Sequence, residues 1–486
     1  MTNITIALIA LPMCMGFSIY LLPKLDRYLA IFTALCSLAY GLQVLLNDTD
    51  LSIQLLDNFG VQLLVDQQSG YFILTNALVT TAVVFYCWNR GKSAFFYAQA
   101  IILHGSVNAT FVCQDFISIY VALEVLGIAV FLLISYPRSD RSIWIALRYL
   151  FVSNTAMLFY LIGVGLVYQA AHSFAFSGLR VSPPEAIALI LMALLVKGGV
   201  FVSGLWLPLT HSESETPVSA LLSGVVVKAG VFPLIRCALI VPEIDPVLRI
   251  FGISTAIFGV VYAVFQKDTK LTLAFSTISQ LGFVLAAPVV AGFYALTHGL
   301  VKSALFLIAG SLPSRSFKQL QSQPINTSVW IPLLIASLSV SGFPLLAGFG
   351  AKMVTFKNLL SWQDIILNIA AIGTTIYFAK FIFIPHTQLP ETPETEAKQR
   401  GLLPAMVILL GGLILANFFY YQSAYTIDNI VKSLVTIGSG WLAYFVLFKN
   451  WEVNLSRNWE KLEHIIGGMT IMLTVMFWFV FAVSIA

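Results

Sequence analysis

Of the chain's 486 residues, 59% are hydrophobic and 10% are acidic or basic, and its mean hydropathy is +0.90. Soluble domains carry about 25% charged residues, so a soluble globular enzyme is excluded and a bilayer is required to accommodate the apolar runs. A net charge of +4 is too small to argue for a nucleic-acid partner, and the sequence has no basic run of the kind such binding needs.

Taking roughly 20 apolar residues as one crossing of the hydrocarbon, the chain offers about sixteen candidate segments, from 3–22 and 27–46 to 466–485. Some pairs are halves of broken helices, so the expected fold is an all-α polytopic membrane protein with about fourteen to sixteen crossings. The first apolar stretch lacks the basic lead of a cleaved signal and is read as a retained helix. Basic residues sort by loop. The odd-numbered loops carry Lys24, Arg27, Arg90, Lys92, Arg138, Arg141, Lys267, Lys270, Arg315, Lys318, Lys398, Arg400, Lys449, Arg457 and Lys461. The even-numbered ones carry few, among them Arg180, Arg249, Lys352 and Lys357, and the even loop 47–68 is acidic, with Asp48, Asp50, Asp57 and Asp66. The positive-inside rule then puts the odd loops in the cytoplasm and the N-terminus outside.

Against this apolar background a few ionisable residues stand out. A charge at the centre of a spanning helix costs roughly 2.5–3.5 kcal/mol, so such residues face protein or water and mark ion or proton paths. In chain order, Glu124 lies in IYVALEVLGIAVFLL with no cation on its own helix and must find a partner on another, for which Lys197 or Lys228 would serve. Lys197 stands in VKGGVFVSGLWLP (196–208), followed at once by Gly198 and Gly199 and then by Gly204 and Pro208, so this helix is expected to break. Irregular backbone at membrane depth is tolerated only where it is buried in protein or lines a wet cavity. Lys228, in SALLSGVVVKAGVFPLIR, is too deep to reach the interface easily. His298 and Lys302, in THGLVKSALFLIAG, are one turn apart and share a helix face, as a proton relay requires. A second break is expected at SGFPLLAGFG (341–350), and a third where Gly373, Thr374 and Thr375 precede Lys380. Breaks in both halves suggest repeated, inverted units around a central path. Arg148 is read as an interfacial anchor and His104 as structural.

The five cysteines are scattered, with no C-x-x-C or His-paired spacing, and the nucleotide motifs are missing from the sequence, so no metal and no cofactor are expected. A purely structural subunit is a poor reading, because four buried lysines carry a nominal insertion cost of roughly 10–14 kcal/mol.

The runs TPVSALLSGVVVKAGVFPLIR (216–236), LAFSTISQLGF (273–283) and THGLVKSALFLIAG (297–310) resemble signature segments of the antiporter-like subunits shared by Mrp-type multisubunit Na+/H+ antiporters and complex I. VKGGVFVSGLWLP resembles that family's lysine-bearing broken helix and YVALEVLGI its glutamate-bearing one; lysines at 228 and 380 make the chain most similar to the Mrp D-subunit branch. The resemblance implies about fourteen helices built on two inverted five-helix repeats, which here divide the chain into 1–112, 113–245, 246–386 and 387–486. It implies a proton pathway in which Glu124 and Lys197 are the interacting pair, Lys228 the central lysine, His298 with Lys302 the bridge and Lys380 the terminal lysine. It further implies partner subunits in a hetero-oligomeric complex, protons and Na+ as cargo, and a bacterial cytoplasmic or thylakoid membrane. The alternative within the resemblance is a proton-pumping membrane subunit of complex I. Gly204 departs from the pattern, since the family usually has histidine there.

Overall fold

In hydrocarbon every backbone N–H and C=O must be paired within the chain, and a helix does this locally. The computed structural model accordingly turns almost every apolar run into helix; it describes residues 1–55, 60–388, 390, 393–419, 421–449, 451, 453 and 455–485. The first six helices are α1 (Thr2–Leu21), α2 (Asp26–Leu46), α3 (Gln67–Cys87), α4 (Ala94–Val112), α5 (Phe116–Ile134) and α6 (Asp140–Ala171). A broken crossing follows as α7 (Pro184–Lys197) and α8 (Trp206–Glu213), then α9 (Thr216–Leu221) and α10 (Val227–Ile240) joined by a π-helical turn over Leu222–Val226. Next come α11 (Ile244–Phe265), α12 (Thr269–Ala286), α13 (Ala291–Ala309) and the short α14 (Phe317–Ser322). A second broken crossing is α15 (Thr327–Ser341) with α16 (Ala347–Lys357), and the chain ends with α17 (Ser361–Ile382), α18 (Pro393–Ala416), α19 (Tyr421–Ala424), α20 (Ile427–Ala443) and α21 (Leu462–Ile485). Among the described residues, 15 helices are long and apolar enough to cross a membrane, within the range expected from the sequence.

Local chemistry sets the helix starts. Asp66 caps α3 by accepting from the Ser69 amide at 2.9 Å, Asp115 caps α5 from Ser118 at 2.7 Å, and Asp268 caps α12 from Leu271 at 2.9 Å. The same carboxylates tie loops together. On one face, Asp66 meets Arg236 at 2.5 Å and Asp115 accepts from the Gln62 amide at 3.0 Å, while Arg180 reaches the Ile240 carbonyl at 3.1 Å. On the other, Lys92 meets Glu215 at 2.7 Å, Arg141 meets Glu213 at 3.4 Å, and Arg315 meets Asp268 at 2.9 Å. The first set joins even-numbered loops and the second joins odd-numbered ones, so the alternation read from the basic residues is the alternation of two faces. Burial pushes the Asp66 carboxyl up, but hydrogen bonds and the charge of Arg236, together with Ser69, hold it below the ordinary carboxylate range.

Two expectations need correction, and one element was not anticipated. The even loop 47–68, read from the sequence only as acidic, holds an antiparallel hairpin of β1 (Leu51–Leu55) and β2 (Val61–Val65) that buries Ile53, Leu63 and Val65; Asp57 lies outside the described residues. The alternation of LSIQL in β1 is the strand period, hidden by its shortness. The break expected at Gly373–Thr375 does not form; α17 runs unbroken to Ile382. Thr374 and Thr375 return their hydroxyls to the Ala370 and Ile372 carbonyls, and a Cβ on Gly373 would lie 2.2 Å from Val260, so this glycine serves contact with α11. Lys352 is not a loop residue; it lies within α16 and is buried.

The two other breaks form as expected. Gly199 takes φ +67°, a left-handed conformation open to glycine, and Phe201 at +50° opens a 3-10 turn to Leu205 before α8 begins at Trp206. Gly342, at φ +89°, ends α15. Apolar windows of α9–α10 and α12 are entirely buried, whereas the α1 window is 28% buried. The molecule therefore has a central set of helices shielded from lipid, and the ionisable residues sit there.

Candidate functional site: a buried row of lysines

Lys197 ends α7 at the break, where its ammonium donates to Ser153 Oγ on α6 at 2.5 Å and to the Leu123 carbonyl on α5 at 3.2 Å. Glu124 is the next residue on α5, yet the lysine's hydrogen-bond partners are Ser153 and Leu123 and not the carboxylate. Its Oε1 is buried without a hydrogen-bond partner. A small cavity lined by Tyr149, Ser153, Lys197 and Trp206 has room for about one water beside the ammonium. The lysine thus reaches the α5 residue next to the carboxylate without touching the carboxylate itself.

Lys228 owes its geometry to the π-turn. Such a turn leaves a carbonyl without its regular partner, and the Lys228 ammonium donates to the Ser223 carbonyl within it at 2.8 Å. The Ser223 hydroxyl shares a hydrogen bond with Thr277 Oγ1 at 2.7 Å, and beside Thr277 on α12 Ser276 accepts from Lys302, which also donates to the Leu273 carbonyl at 3.1 Å. The run LAFSTISQLGF is therefore a bed of hydroxyls joining the central lysine to the lysine of α13. Gln280, one turn on, accepts from Tyr294 at 2.7 Å and donates to Thr374 at 3.3 Å.

His298 lies one turn before Lys302, buried, with neither ring nitrogen hydrogen-bonded. It faces a small cavity lined by Gln280, Tyr294, Thr297, Ser339 and Gly348, which carries the row toward the second broken helix. There Lys352, 3% exposed, donates to the Ser341 carbonyl at 3.2 Å and lies 5.7 Å from the centre of the Phe283 ring. Sequence reasoning missed Lys352. The signal was present: it follows the Gly/Pro interruption by two residues, as Lys197 precedes its own.

Lys380 stands apart. Its ammonium donates to the Val264 and Gln266 carbonyls, the latter at 2.9 Å, and so satisfies the carboxyl end of α11 at the odd-loop face. Arg148 is buried and donates to the Glu460 carbonyl, tying α6 to the segment before α21. His104 is fully engaged, with Thr80 at 3.0 Å, Ser37 at 2.8 Å and Asn108 at 3.2 Å, as a structural histidine should be. At Gly204 an added Cβ would lie 2.2 Å from the Gly199 carbonyl oxygen, so the break leaves no space for a side chain there.

Comparison with known proteins places this arrangement. Residues 113–377 match the model of the NADH:quinone oxidoreductase/Mrp antiporter transmembrane family. The chain is 25% identical over 491 residues to the D subunit of the Na(+)/H(+) antiporter of Alkalihalophilus pseudofirmus, covering 90% of this chain and 99% of that one. It is 28% identical over 385 residues to the N subunit of the NADH-quinone oxidoreductase of Desulforudis audaxviator, covering 71% and 76% respectively. Its fold is similar to a chain of the Mrp complex from Dietzia, with TM-score 0.74, 18% identity and coverage of 96% and 100%. It is also similar to a chain of an archaeal membrane-bound sulfane sulfur reductase, with TM-score 0.73 and 19% identity over 90% and 99%.

Proposed function

From the premise that this chain belongs to the NADH:quinone oxidoreductase/Mrp antiporter transmembrane family, we propose that it is the proton-translocating subunit of a multisubunit Na+/H+ antiporter. The observation that carries the reading is the row of buried ammonium groups on hydroxyls and carbonyls, Lys197, Lys228, Lys302 and Lys352, with Glu124 at one end and His298 inside it. Lysine changes charge when its surroundings change, and hydroxyls and single waters carry protons between such sites. Protons pass along the row, and the changing charge on each lysine couples the passage to cation movement or to a partner's conformation. One charge crossing 100 mV is worth about 2.3 kcal/mol, so an ordinary membrane potential drives electrogenic exchange.

End-to-end similarity to a D-type antiporter subunit supports the antiporter reading. Comparable identity to a quinone oxidoreductase subunit favours a second one, a proton-pumping subunit of a complex I-like assembly. A broken helix in each of 113–245 and 246–386 supports two repeats, and the clustering of basic residues on the odd-loop face supports a cytoplasmic position for that face, with the N-terminus outside and the assembly in a bacterial cytoplasmic membrane.

The test is proton exchange in vesicles carrying the intact assembly. Lys197→Ala is expected to abolish exchange while the complex still co-purifies; full transport by this variant overturns the reading.

A further inference from the structure

We propose that His211 is the side chain through which protons pass between the lysine row and the odd-loop face, forming a port at the seam of the two halves. The inference rests on the reading that the row carries protons.

α8 runs from the break beside Lys197 to the odd-loop face, and His211 lies in its last turn, fully buried. Neither ring nitrogen closes a hydrogen bond, although the Leu207 carbonyl lies near, one turn back. His104 shows what this chain does with a structural imidazole: both nitrogens are engaged. A fully buried imidazole left open on both sides is costly unless it is used. Its ring stands between Trp206, at 6.1 Å, and Phe306, at 5.9 Å, and Phe306 is one turn beyond Lys302 on α13. On the inner side, then, the ring packs against α13 one turn from Lys302, in the middle of the row.

On the outer side the environment turns polar within one turn. Ser219 donates to the His211 carbonyl at 2.7 Å and to the Ser214 carbonyl at 3.1 Å, and Lys270 on α12 donates to the same Ser214 carbonyl at 3.0 Å. Beyond lie Glu213, paired with Arg141 and Arg315, and Glu215, paired with Lys92. These ion pairs tie the 213–215 link to the loops around it and close the port in this conformation. Imidazole accepts a proton at one nitrogen and releases the one on the other, so it passes protons without net change. Gly204 leaves no side chain nearer the break to share this task.

Two measurements on the intact assembly test the port, both against the parent complex. His211→Gln and His211→Phe each fill the space without carrying a proton; exchange is expected to fall about tenfold or more with normal co-purification. Exchange within about twofold of the parent in an assembled variant overturns the port. The second leaves His211 intact: Ser214→Cys is exposed to an impermeant thiol reagent on either side in turn during turnover. Labelling from the odd-loop side with loss of exchange is expected. No labelling from that side, or labelling without loss, overturns the port. A parent complex that exchanges no protons overturns the translocation reading itself, which keeps the two failures distinct.

Discussion

Lys352 and Lys380 are the two candidates for the far end of the proposed row, and their surroundings predict opposite outcomes. Lys352 is buried beside a backbone break and continues from the His298 cavity, whereas Lys380 holds the carbonyl end of a neighbouring helix. Lys352→Ala is expected to lower vesicle proton exchange by about tenfold or more, and Lys380→Ala to leave it within about threefold while lowering thermal stability. Sequence reasoning favoured Lys380 because Lys352, among glycines in a stretch that reads as a turn, looked like a loop residue. What was legible was any charge flanked by long apolar runs, as at Glu124, Lys197, Lys228, His298 and Lys302. The hydroxyls beneath the lysines were not, because serine and threonine in a membrane helix satisfy themselves on their own backbone and carry no mark of a second role. At the even-loop face, Asp66→Asn is expected to destabilise the fold by roughly 3 kcal/mol, by leaving the buried Arg236 unpaired. Since Asp66 titrates below its unfolded value, its contribution is fully present above about pH 4 and is lost as pH falls through the folded value. Thermal unfolding against pH should show that acid loss in the parent and its absence in Asp66→Asn.

At the scale of elements, two of three expected interruptions formed and the third did not, and the difference is physical. Around Lys197 and 341–350, glycines with positive φ turn the chain where no L side chain would fit easily. At Gly373 the same residue type serves close packing, and nothing in its immediate sequence separates the two uses. The α11–α12 pair shows that second use most plainly: a Cβ on Gly259 would lie 2.3 Å from the Ser279 amide nitrogen, and one on Gly282 would lie 2.4 Å from that of Ala256. Small residues let helix backbones approach in a membrane. Gly282→Val is expected to separate the helices and cost about 1–3 kcal/mol, read as a lower midpoint in detergent thermal scans. Because α12 also carries Ser276 and Thr277, exchange should fall with it.

For the whole molecule, the order of crossings was legible from hydropathy, and the sorting of loops into two faces from lysine and arginine alone, because insertion of a chain into a membrane is governed by those same quantities. How the central helices meet was not legible, since contacts between distant segments leave no periodicity behind. The outer helices present wide apolar surfaces, with Leu21 76% and Ile427 81% exposed, available to lipid or to other subunits. Purification from the native membrane in mild detergent is expected to bring small hydrophobic antiporter subunits; iron–sulfur or quinone-site proteins instead would assign the chain to a complex I-like assembly. A cysteine at Thr2 is expected to react with impermeant reagent from outside the cell, and reaction only after permeabilisation would reverse the orientation.

The row holds one acid and four amines, Glu124 against Lys197, Lys228, Lys302 and Lys352, so it cannot be neutral when every site is filled. Like charges in a medium of low dielectric exclude one another from adjacent seats. Such a line behaves as a crowded bench on which a newcomer at one end displaces someone at the other. On the proposed reading, that repulsion links uptake at one end of the row to release at the other.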